Sequence, residues 1–194
     1  MNELKIEDLL STEDYEKERD FLLSESITKK ELRTITIGKN VNLFFENKET
    51  VLNKTQEFLR DGDITSEGEI KENLSIYQSL LADTQSLKAT MVIDCSMEED
   101  SNRAIKDKKG VEDRVWIQIG ENDRVFSNST PTVEGSLVNQ HQIVFILEFN
   151  LSNLMIKDFH ADMTLYAGVD HPKYNVRTKE ILKITTASLA KELT

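Results

Sequence analysis

Between Leu87 and Cys95 every second residue is apolar: Leu87, Ala89, Met91, Ile93 and Cys95, with Lys88, Thr90 and Asp94 among the residues between them. A period of two sends alternate side chains to opposite faces of a strand, so this stretch buries its apolar face only as part of a sheet. Gln140 to Phe149 repeats the signal with Ile143, Phe145, Leu147 and Phe149 on one side. A chain with two such strands must build a sheet and find something to cover it. On this reading Cys95 is a small core residue.

The covering elements are legible from capping signals and helical spacing. Ser11 followed by Asp14 opens a helix from Thr12 to Leu32, whose loose stripe is Tyr15, Leu22 and Ile27. Thr34–Ile37 and Val41–Phe45 alternate around Gly38-Lys39-Asn40, a hairpin signal. Asn47 caps a second helix to Arg60, with Val51, Leu52, Phe58 and Leu59 toward the core and Asn53, Gln56, Glu57 and Arg60 away from it. Ser66 and Glu69 open a third, buried through Ile70, Leu74, Tyr77 and Leu81. Ser96 and Glu99 open a short polar helix to about Lys108, which Gly110 ends.

Downstream, Val115, Ile117 and Ile119 alternate with Trp116 and Gln118, and a turn leads to Val125 and Phe126. Ser127 to Gln140 reads as a loop. After the strand ending at Phe149 come a helical turn at Leu154–Phe159, a strand from Met163 to Val169 and a closing helix from Thr178 to Leu193. Consecutive strands joined by short turns predict a largely antiparallel sheet covered by helices. The expected class is α+β. With 194 residues and only two prolines, the chain suits one domain over residues 1–194.

Charge narrows the function. The net charge is −11, from 35 acids against 24 bases. Residues 1–100 hold 23 acids and 12 bases, leaving 12 of each in 101–194, so the whole excess lies in the first half. Phosphate backbones need clustered Lys and Arg, and the one basic cluster, Lys106, Lys108 and Lys109, is flanked by Asp107, Glu112 and Asp113. Nucleic acid is excluded as a partner. The acidity serves either plain solvation or an acidic face for a basic protein partner.

One cysteine allows no intramolecular disulfide and no CxxC site. The charged start MNELKIEDLL and the shortness of the longest apolar run, Ile143–Leu147, predict no signal peptide and no membrane span, hence a cytoplasmic address. The Asn-x-Ser/Thr triplets at Asn53, Asn73, Asn128 and Asn150 are then accidental.

No Gly-rich phosphate loop, GxSxG, HExxH or EF-hand pattern occurs, so the motifs name no reaction and call for no cofactor. His141, at the end of an apolar strand face, and His160, beside Asp158 and Asp162, read as rim and surface residues. Two constellations remain. In VDHPKY, Pro172 holds His171 extended beside Asp170, so the pair either shares a cation or forms a structural corner with Tyr174. On the second helix Gln56, Glu57 and Arg60 share the face opposite the core. They serve either as surface pairs or as a docking site. A metal site built from Asp170, His171, Glu46 and Glu57 is the alternative to docking. Its oxygen and imidazole ligands suit manganese, iron or zinc.

The runs LFFENKETVLNKTQEFLR, SLKATMVIDCS, GVEDRVWIQI, IVFILEF and VDHPKY, in this order, resemble the bacterial family catalogued as domain of unknown function 3501. The resemblance extends from EDLLSTEDYEKER to the last helix. The chain departs from the family's usual helix pattern at Lys54 and Phe58, and at Gly62, where a Glu is usual. The family implies no reaction. Its members are encoded beside rubrerythrin-like proteins and iron–sulfur oxidoreductases, which implies an accessory role with a redox partner. A homo-oligomer is compatible with everything above.

Overall fold

The computed structural model describes residues 3–94, 110–130, 137–139 and 142–194. Among them run five α-helices and ten strands: α1 (Thr12–Leu32), β1 (Thr34–Ile37), β2 (Val41–Phe45), α2 (Lys48–Asp61), α3 (Glu67–Gln78), β3 (Ser86–Asp94), β4 (Val115–Ile119), β5 (Val125–Phe126), β6 (Asn128–Thr130), β7 (Leu137–Asn139), β8 (Gln142–Asn150), α4 (Asn153–His160), β9 (Leu165–His171), β10 (Tyr174–Arg177) and α5 (Lys183–Ala190). Cys95, the expected helix after Ser96 and His141 lie outside the described residues.

The α+β class holds, and every strand pairing is antiparallel. The strands form two sheets rather than one. The larger has the order β1-β2-β3-β8-β6, with β7 also on β8, and the smaller has the order β10-β9-β4-β5. Their facing sides make one core, with Leu43, Leu87, Met91, Ile93 and Leu147 from the first meeting Val115, Ile117, Ile119, Ala167 and Val169 from the second. Phe159 of α4, with Leu189 and Leu193 of the C-terminal segment, joins the same core. Stacked sheets bury alternate residues of both, which is why strict alternation was so readable.

Trp116 departs from the simple pattern. It points away from the core yet is 2% exposed. Its indole lies over Gly168, where a Cβ would come within 2.3 Å of the ring. The stretch expected as one loop over Ser127–Gln140 contains the edge strands β6 and β7. The closing helix is shorter than the expected Thr178–Leu193, running only over Lys183–Ala190, and β10 over Tyr174–Arg177 is an additional strand before it.

A second, smaller core lies under α2 and α3. Leu4, Val51, Leu74 and Leu81 are buried there, with Ile70, Leu52 and Tyr77 against them. Phe58, expected to be buried, is 45% exposed and only leans on Tyr77, ring centroids 5.9 Å apart. Ile27 on α1 is likewise exposed, and Tyr15 is the only buried residue of that helix.

Candidate functional site

A 21-residue helix that buries one side chain needs another means of attachment. α1 is held to α2 through polar groups. The face of α2 expected to be free is where these meet. Arg19 Nε and Nη2 each donate to the Glu57 carboxylate at 2.7 Å, and the Tyr15 hydroxyl donates to Glu57 Oε1 at 2.8 Å. Gln56 accepts from the Leu10 backbone N–H and donates to the Leu10 carbonyl, both at 3.1 Å. Arg60 pairs with Glu16, and Lys29 reaches Glu49 at 3.1 Å.

Gln56, Glu57 and Arg60 therefore share a face, but that face is taken by the chain's own Leu10 and α1. Arg19, aided by the Tyr15 hydroxyl, holds the Glu57 carboxyl below the ordinary range, although partial desolvation acts the other way. Burial, then the bond to Glu57, pushes the Tyr15 hydroxyl up. Sequence reasoning missed Tyr15 and Arg19 as partners. Their i, i+4 spacing, with Leu22 further along, was the available signal.

Glu46 directly follows β2 and is buried among other partners. Its side chain is 4% exposed. It accepts from Thr50 Oγ1 at 2.8 Å and Thr90 Oγ1 at 2.9 Å, and pairs with Lys54. Burial pushes this carboxyl up, yet Lys54 and the two hydroxyls outweigh it and hold the group below its ordinary value. Arg33, at the C-terminal end of α1, was not singled out by its sequence context. It is 2% exposed and donates to the carbonyls of Phe45, Glu46 and Ser188, with Glu192 at 3.5 Å. It thus ties the end of α1 to the end of β2 and to α5.

Asp170 and His171 lie on the smaller sheet, at the β9–β10 turn. Asp170 accepts from Asn175 at 3.2 Å and has Arg124 at 3.9 Å. His171 Nδ1 accepts from the Lys173 backbone N–H at 3.3 Å, which closes the turn over Pro172. Tyr174 donates to the Ile37 carbonyl at 2.7 Å. Gly38, at φ +68°, makes room, since a Cβ there would meet the Tyr174 hydroxyl at 2.4 Å. VDHPKY is thus the corner that ties the two sheets together.

The metal alternative does not assemble. Glu46 is engaged by Lys54, Thr50 and Thr90, Glu57 by Arg19 and Tyr15, and Asp170 by Asn175, in separate places. Among the described residues no three His, Cys, Asp or Glu side chains gather in a way that would hold a metal ion.

Residues 3–193 match the profile of a family described as protein of unknown function (DUF3501). The chain belongs to this family. A crystal structure titled as a novel protein of unknown function from Burkholderia pseudomallei K96243, at 1.90 Å resolution, shares the fold with a TM-score of 0.91. The two are 30% identical, and each chain is covered over 100% of its length. No curated protein matches the sequence. The two-sheet architecture with its outer helices is thus shared by two chains that differ at most positions. No described helix is long and apolar enough to cross a membrane.

Proposed function

We propose that this DUF3501 protein is a non-enzymatic accessory protein that docks on a basic patch of a redox partner, of the iron–sulfur or di-iron kind that the family resemblance implies. The observation that carries this reading is the outward face of α1. Phe21 and Ile27 stand 62% and 61% exposed there, on a helix that also carries Glu13, Asp20 and Glu31 in solvent. Exposed aromatic and aliphatic anchors on a helix with seven acids against four bases, the exposed Lys17 among them, suit association with a positively charged protein. Gln56, Glu57 and Arg60 serve this surface by holding α1 in place, and the parts of them left in solvent extend its rim.

The test is direct binding between the purified protein and purified rubrerythrin-like and iron–sulfur proteins of the kinds the family resemblance implies. Binding should weaken at least tenfold for Phe21→Asp with Ile27→Asp, and should weaken as salt rises. Equal binding by wild type and variant, or no binding to any of these proteins, overturns the proposal.

A further inference from the structure

The outward face of the smaller sheet belongs to the half of the chain that carries no acid excess. Strand pairing places Arg177, Gly168, Trp116 and Phe126 in one row across β10, β9, β4 and β5. Tyr166 and Asp170 lie on the same face of β9, to either side of Gly168, because alternate residues share a face. Two stacks stand on it. The Arg124 guanidinium lies 4.1 Å from the Trp116 ring centroid, and that of Arg177 lies 4.3 Å from the Tyr166 centroid. Gly168 makes the first stack possible by letting the indole lie flat across β9. Phe126 at the end of the row is 40% exposed.

Among these side chains the charges are Arg124, Arg177 and Asp170, a local balance of +1, on a chain whose net charge is −11. Two copies of such a chain repel through most of their surface and approach at least cost where the acid excess is missing. Arg124 and Asp170 also sit side by side at 3.9 Å, too far for a close bond, with side chains 42% and 49% exposed. A two-fold axis passing between them sets each Arg124 against the Asp170 of the other copy, which is the self-complementarity an isologous contact requires. Arginine and aromatic residues are also those that carry most binding energy in interfaces.

The geometry points to this face as the contact of a two-fold homodimer, with Phe126 and the two arginine–aromatic stacks at its centre and reciprocal Arg124–Asp170 pairs across the axis. The inference is independent of α1 and of the docking reading. It stands or falls by itself.

Sedimentation equilibrium of the full chain at micromolar concentrations tests it against the monomer mass of 22.3 kDa. Wild type should sediment at twice that mass. Arg124→Asp alone and Asp170→Arg alone should each sediment as monomers, because each sets like charges in opposition twice. An equimolar mixture of the two should return to dimer, since both pairs then regain opposite charge. A monomeric wild type overturns the inference, as does a dimer that both reversals leave intact, or a mixture that stays monomeric. Should a reversal unfold the chain, Phe126→Glu replaces it, and a dimer that survives that change overturns the assignment of the face.

Discussion

Arg19 and Glu57, 38 residues apart, meet through two parallel bonds of 2.7 Å, and the buried Tyr15 hydroxyl shares one of the carboxylate oxygens. This fork fastens a helix that has almost no apolar face. Removing the carboxylate leaves the Tyr15 hydroxyl, on a residue 1% exposed, without its acceptor. Glu57→Ala should therefore cost about 1–3 kcal/mol, mostly from that unmade bond, since the partly solvated ion pair itself contributes little. Urea unfolding measures it, and Tyr15→Phe with Glu57→Ala should lose less than the sum of the single changes. An unmoved midpoint for Glu57→Ala contradicts a structural role for the seam.

Glu46 gives the protein an acid limit. Its carboxyl titrates below the ordinary value of 4.5 when folded. Between the folded and unfolded values the unfolded chain binds more protons, so protonation favours unfolding there. The stabilisation is complete above about pH 4.5 and is lost as pH falls through the lower folded value, with Glu57 acting in the same direction. Glu46→Gln should be less stable at neutral pH and should show a flatter decline below about pH 4.5. Unfolding midpoints followed from neutral to acid pH, with parallel curves for the two proteins, would falsify this.

Phe58 and Leu59 are neighbours on α2 in different surroundings, 45% and 6% exposed. Leu59→Ala should cost about 2–5 kcal/mol, as a buried large-to-small change. Phe58→Ala should cost about 1–2 kcal/mol, well below the value for a buried ring, because much of that ring is already in water. The smaller side chain thus matters more. Equal losses in chemical denaturation would show Phe58 to be packed.

Gly168→Ala should disturb the only tryptophan in the chain, because the new methyl falls 2.3 Å from the Trp116 ring. Either the indole swings outward or β9 shifts, at about 1–3 kcal/mol by the usual cost of overpacking. Near-ultraviolet circular dichroism and a red-shifted tryptophan emission report the change. An unaltered spectrum means that the indole does not lie on Gly168.

The local elements were legible wherever a residue's role depends on its own spacing. Leu87, Ala89, Met91 and Ile93 point inward because a strand alternates, and all four are buried. Ser11, Asn47 and Ser66 cap their helices because the otherwise unpaired N–H groups of a first turn donate to their side-chain oxygens. Phe58 misled because helical spacing defines a face without saying how far the neighbouring helix extends over it. The division of the strands into two sheets was not legible because pairing between distant strands, such as β3 with β8 and β4 with β9, leaves no mark in either strand's own alternation.

The sequence by itself determined the class, the position of nearly every long element and the acidity of the first half, because these follow from periodicity and composition. Tertiary structure alone decided what the polar residues do. Gln56 meets Leu10, Glu57 meets Arg19, Arg33 reaches Ser188 and Tyr174 reaches Ile37, across separations of 46, 38, 155 and 137 residues. A carboxylate or hydroxyl carries no mark of its partner, and its surroundings arise only when distant segments pack. So Asp170, His171, Glu46 and Glu57 satisfied the chemistry of a metal site on paper, while the fold gave each of them a different neighbour.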